Sequence, residues 1–225
     1  MNATYLFEGN YDGRGWPPSS ESFWTSVFAV FALHLGARAG QLTVWQCTNG
    51  GPNKKWYTKR TSRPNLQLAN LDFDSVVVEP RALSRPWPGT SLVLPTDAGG
   101  FSPDIVIRSR GADGSEHFAI VENKVTSSAC LADNQIENYP KLANWLRDHG
   151  LSFDILFLQS AGCSDQLYKQ AGSFQSSNWG ANFGILLWEE VLRKMHNIGF
   201  TPAGMPTNNW QQKYTAALDS DCVQE

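Results

Sequence analysis

Two residues of opposite charge, Glu122 and Lys124, close an apolar run, FAIVENKV at 118–125. Removing an unpaired ion from water costs several kcal/mol, so a buried strand seldom carries such groups unless they face each other or a ligand. Strand side chains alternate between faces, which sends Glu122 and Lys124 to one side and Asn123 to the other. Asp104, in SPD at 102–104, lies eighteen residues before Glu122 at the start of an earlier β-rich run. If the two runs form a hairpin, the start of one strand lies beside the end of the next, and Asp104 arrives near Glu122 and Lys124. Carboxylate oxygens at one sheet edge suit Mg²⁺, which keeps several waters and takes one or two protein carboxylates plus phosphate oxygens. A metal there would lower the pKa of a bound water and offset charge on a scissile phosphate. An adjacent lysine would stabilise the transition state. The plainer alternative is a structural ion pair at a strand end.

The elements that must position these groups can be read from periodicity and punctuation. DIVIRSR (104–110) and HFAIVENKV (117–125) flank GADGSE, whose Asp113-Gly114 signals a turn, so a hairpin is expected. Before it, PPSSESFWTSVFAVFALHLGARAG predicts a helix, with Ser19 or Ser20 as cap and Gly36 or Gly40 as stop. Its Phe23, Val27, Phe28, Phe31 and Leu35 form a surface wide enough for near-complete burial. After the hairpin, LADNQIENYPKLANWLRDHG predicts a helix with Ile136, Leu142, Ala143 and Leu146 as its stripe and Gly150 at its end. FDILFLQS and GILLW read as buried strands with a helix between them, and EEVLRKMHNIG as a short closing helix. Between 38 and 100, LTVWQC and DSVVVEP read as strands, whereas TNGGPNKKWYTKRTSRPN reads as loop. That stretch is an elaboration between the first helix and the sheet, and residues 200–225 read as an irregular polar tail. The order predicts one α/β domain over 1–225, with a central mixed sheet flanked by helices in αβββαβ order.

Pro103-Asp104 followed by Glu122-Asn123-Lys124 on the next strand resembles the PD-(D/E)XK nuclease superfamily. The resemblance implies a restriction-endonuclease-like core and a nuclease that hydrolyses phosphodiester bonds, with DNA the expected substrate. It implies that Asp104 and Glu122 hold Mg²⁺ (Mn²⁺ substituting), that the Asn123 carbonyl assists, and that Lys124 positions or activates the attacking water. Glu21 matches a glutamate that many members carry in the first core helix, although a helix dipole alone also favours an acid there. Gln135 and Tyr139 match the QxxxY of exonuclease-like branches, implying contact with phosphate or a brace for the lysine. Tyr139 also falls on its helix's apolar stripe. Pro140 directly after it disfavours a helical Tyr139, which weighs against a shared facing with Gln135. The resemblance covers about 19–36 and 101–160, and many of the superfamily's members act as homodimers.

A net charge of −3 argues against a uniformly basic nucleic-acid surface, but KKWYTKRTSR at 54–63 is a local exception. Lys54, Lys55, Lys59 and Arg60, interleaved with Trp56 and Tyr57, are expected either to clamp a nucleic-acid backbone or to form a solvated loop. The four cysteines and four histidines show no zinc spacing. No run approaches the roughly 18 apolar residues of a membrane span, and the start has no signal-peptide pattern. A cytoplasmic protein is therefore expected. Two other classes stay open: a nuclease-fold module that binds nucleic acid or protein without catalysis, and an unrelated α/β interaction protein.

Overall fold

A computed structural model of the chain describes residues 21–48, 55–68, 71, 75–78, 102–110, 114–125, 129–201 and 223–224. It begins with α1 (Glu21–Gly36), and Phe23, Trp24, Val27, Phe28, Phe31, Ala32 and Leu35 are all buried, as the breadth of the apolar surface predicts. The expected caps Ser19 and Ser20 lie outside the described residues. The helix stops at Gly36, and the chain then turns through Ala39, a left-handed residue with φ 50°.

Four short strands follow: β1 (Gln41–Thr43), β2 (Trp45–Thr48), β3 (Trp56–Lys59) and β4 (Asn65–Gln67). β1 and β4 pair as an antiparallel ribbon with Leu42 opposite Leu66. The expectation of loop at 48–65 is corrected here, because β2 and β3 form an antiparallel pair that extends the main sheet. Tyr57 is the physical reason. It is wholly buried, and the lysines on either side hide its strand character in the sequence.

The main sheet is completed by β5 (Val76–Val78), β6 (Ile105–Arg110), β7 (Glu116–Lys124), β8 (Ser152–Gln159), β9 (Phe183–Leu187) and β10 (Val223–Gln224). Its order is β10-β3-β2-β9-β8-β7-β6-β5. β5, β6 and β7 are successively antiparallel, and β7, β8 and β9 are parallel. β10 pairs in parallel with β3, so at least this part of the tail is not irregular. The parallel steps need crossovers, which α2 (Asp133–Asp148) and α3 (Asp165–Gln175) provide, and α4 (Trp188–Asn197) follows β9.

Helices cover both faces. α1 and α4 pack on one with Ala119, Val121, Leu156 and Leu158, and α2 and α3 on the other with Phe118, Ile120, Ile155 and Phe157. β7 and β8 are therefore buried on both sides, which explains their near-continuous apolar sequence. Among the described residues, no helix is long and apolar enough to cross a membrane.

Gly36 marks where α1 meets the ribbon. A Cβ built on it would lie 2.3 Å from the Leu68 carbonyl oxygen, a backbone atom that cannot swing aside. Gly36→Ala is expected to lower stability by about 1–3 kcal/mol, as overpacking does, read as a shifted urea midpoint at unchanged slope.

Candidate metal centre

Strand pairing assembles the first part of the site. β6 and β7 run with Ile105 opposite Val121, so Asp104, one residue earlier, reaches the level of Glu122. There its Oδ2 accepts the Asn123 backbone N–H at 2.6 Å. Glu122 and Lys124 share a face, and Lys124 Nζ lies 2.6 Å from Glu122 Oε1. Lys124 also donates to Glu21 Oε1 at 3.2 Å, which draws the first residue of α1 into the group. One ligand oxygen from each of Glu21, Asp104 and Glu122 lies within 4.8 Å of the others.

The layer opposite α1 braces Glu122. Gln135 Nε2 donates to Glu122 Oε1, and Tyr139 donates its hydroxyl to Oε2 at 2.5 Å. The helix runs on through Pro140, so the local penalty that proline places on Tyr139 does not keep these two side chains from facing the same way. Residues four apart share a helix face, and packing of the Tyr139 ring among Phe157 and Phe174 holds that turn despite the lost donor. Gln135 also accepts the Ala132 backbone N–H through Oε1 at 3.1 Å, so it caps α2 and orients the glutamate together. Tyr139 is completely buried, which removes it from any contact with a phosphate. Both QxxxY residues act on the carboxylate.

Charge and burial oppose each other here. Burial, reinforced by the Glu122 charge, pushes the Asp104 carboxyl up to about 8, although the Asn123 N–H pulls the other way. Burial also raises Glu122, with Lys124 opposing the shift. Lys124 is pulled down by burial, but Glu122, Glu21 and Asp104 outweigh it and leave the lysine above its ordinary value. It is therefore an ammonium at neutral pH. Among the described residues, Lys124 forms ion pairs with Glu21 and Glu122, so the three clustered acids have one ammonium beside them in a half-buried place. Their carboxylate oxygens are hard donors that could hold a metal ion.

The basic run of 54–63 does not join this centre as a single arm. Arg60 is 3% exposed and donates to Asp154 Oδ1 at 2.8 Å, which corrects the expectation that it clamps nucleic acid. A lone acid in the apolar strand FDILFLQS requires a buried cation, and Arg60 is that partner. Lys55 pairs with Asp165 at 3.2 Å and donates to the Cys163 carbonyl, so its charge is used within the fold. Lys59 is exposed at the end of β3. Lys54 lies outside the described residues.

Spacing alone does not find Thr25 and Trp188, which meet the Asn123 side chain on the face away from Lys124. Both look like ordinary interior residues of apolar segments. In comparisons with known proteins, the chain matches no family model, no curated protein and no solved structure.

Proposed function

We propose that the chain is a metal-dependent nuclease of the PD-(D/E)XK type with a restriction-endonuclease-like core, hydrolysing phosphodiester bonds in DNA. The observation that carries this reading is the convergence of Glu21, Asp104 and Glu122 within 4.8 Å, with Lys124 bonded to two of them. The order α1, β5, β6, β7, α2, β8 supports it, with an antiparallel three-strand meander followed by a strand parallel to β7.

Asp104, Glu122 and Glu21 would hold Mg²⁺, and the resemblance adds the Asn123 carbonyl. Bound there, the ion would supply Lewis-acid polarisation and charge neutralisation at phosphate oxygens. Lys124, protonated and anchored by two carboxylates, orients a water and stabilises developing negative charge rather than removing a proton. Gln135 and Tyr139 fix the Glu122 carboxylate so that its orientation costs nothing at the moment of reaction. Incubation with linear, circular and single-stranded DNA plus Mg²⁺ or Mn²⁺ tests the assignment, and cleavage that survives Lys124→Ala and Asp104→Ala would sink it.

One observation favours a second reading, a nuclease-fold binding module without catalysis. Glu122 already receives hydrogen bonds from Lys124, Gln135 and Tyr139, a set that satisfies a buried carboxylate without any ion. Calorimetry with Mn²⁺ separates the two, since a wild type that binds none supports the module.

For the nuclease reading, the pH dependence has a definite sign. Asp104 retains its proton up to about pH 8, so cation and proton compete for it. Mn²⁺ affinity is expected to climb as pH rises toward 8, by about tenfold per unit for one displaced proton. Titrations in buffers of different ionisation enthalpy would show the released proton, and a pH-independent affinity would exclude Asp104 as a ligand. Without metal the stability linkage runs the other way. The folded pKa exceeds the unfolded value of 3.8, so this contribution is full below 3.8 and is lost as pH rises through about 8.

A further inference from the structure

We propose that the Asn123 side chain, locked by Trp188 and Thr25, is the positioning group that sets Glu21 in the carboxylate cluster. This rests on the metal-site reading above. Asp104 and Glu122 are fixed by strand pairing around β7, but Glu21 belongs to a helix that lies on the sheet through apolar contacts. Such contacts are non-directional, so a small slide of α1 would displace Glu21 while keeping most of the burial.

Asn123 supplies the missing direction. Its Nδ2 donates to the Glu21 carbonyl oxygen at 3.2 Å and to Thr25 Oγ1 at 3.0 Å. Its Oδ1 accepts Trp188 Nε1–H at 3.0 Å. An indole nitrogen can only donate, so this bond fixes which way the amide faces and directs both of its own hydrogens at α1. Trp188 is itself held edge-on by two α1 rings, Trp24 at 5.4 Å and Phe28 at 6.1 Å. Asn123 is completely buried and Thr25 nearly so, and a satisfied buried network specifies one arrangement where apolar packing alone permits several. The same residue grips Asp104 through its backbone N–H. One position on β7 thus touches two of the three acids, Asp104 through main chain and Glu21 through side chain.

Thr25→Val and Trp188→Phe each delete one anchor while leaving every proposed ligand in place, and Asn123→Leu deletes all three. Each mild variant is expected to weaken Mn²⁺ binding by about tenfold, the low end for residues that orient metal ligands. In a Glu21→Gln background the same substitutions should have no further effect, because the residue they position has already been removed. Without metal, amide exchange over residues 24–28 should accelerate by about tenfold relative to β7 and β8, reporting a loosened first turn. An equal loss of affinity in the Glu21→Gln background, or unchanged exchange in α1, overturns the proposal. A wild type that binds no Mn²⁺ sinks the metal reading instead, and the exchange measurement then decides alone whether Asn123 places Glu21.

Discussion

Asp104→Asn is expected to make the protein more stable and, on the nuclease reading, to abolish DNA cleavage. Both effects have one origin. The Asp104 carboxyl is pushed up to about 8 by burial and by the neighbouring Glu122, so ionising it in the folded state is unfavourable. Asparagine keeps an oxygen to accept the Asn123 N–H, now 2.6 Å from Asp104 Oδ2, and removes the charge. At pH 9, where the wild-type carboxyl is ionised, the gain should be on the order of 1–3 kcal/mol. It should shrink as pH falls through 8, because the wild type then protonates and relieves itself. The nuclease reading requires that charge, and losing one preorganised electrostatic group should cost at least about 10²–10³-fold in rate. Thermal melts across pH 5–9, set beside cleavage assays in Mg²⁺, check both halves. A destabilised variant would mean that Asp104 is a structural partner of Lys124, and a stable, active variant would remove it from the site. Stability gained at the expense of activity is the pattern expected of a functional cluster.

How far the sequence leads depends on the range of the interactions involved. The β6–β7 hairpin and its charged end are legible because strand alternation and a turn signal fix positions only a few residues apart. The same locality makes Gln135 and Tyr139 recognisable as a pair, yet their target could not be read. Phosphate or lysine was expected, and the structure gives Glu122, because the facing of α2 is decided by Phe157 and Phe174 rather than by the helix itself. Pro140 misleads for a related reason, since tertiary packing overrides its local penalty. The basic run is the clearest failure. Five cations in ten residues look like a solvated surface, but Tyr57 turns inward on β3, and Arg60 answers an acid more than ninety positions away. A pairing of that span has no local trace in the chain. Asn123 shows the same limit at the site, where its backbone position was legible and its side-chain partners on α1 and α4 were not.

Arg60→Ala therefore serves as the sharpest test of the corrected role of the basic run, and it is expected to cost about 3–5 kcal/mol of stability. Its guanidinium is wholly committed to the fold. Nη1 donates to Asp154 Oδ1 at 2.8 Å and to the Phe183 carbonyl at 3.2 Å, while Nε and Nη2 donate to the Arg63 carbonyl at 3.2 and 2.8 Å. The last two bonds hold a residue in the left-handed region, Arg63 at φ 46°. Removing the fork leaves Asp154, 1% exposed, with His117 Nε2 at 3.1 Å and the more distant Arg63 at 3.8 Å. A loss of this size is a large share of the roughly 5–15 kcal/mol that stabilises an ordinary domain. Arg60→Lys should recover only part of it, since an ammonium cannot reproduce the planar fork. Lys59→Ala, one residue away and exposed, should change stability by less than about 0.5 kcal/mol. Urea unfolding of the three variants separates the possibilities, with Mn²⁺ titration of the folded fraction as the control. If Arg60→Ala melts like the wild type but binds DNA weakly, the residue is an arm after all. If it unfolds early while its folded fraction keeps its Mn²⁺ affinity, Arg60 belongs to the frame that carries the site, on the end of β8 away from Lys124.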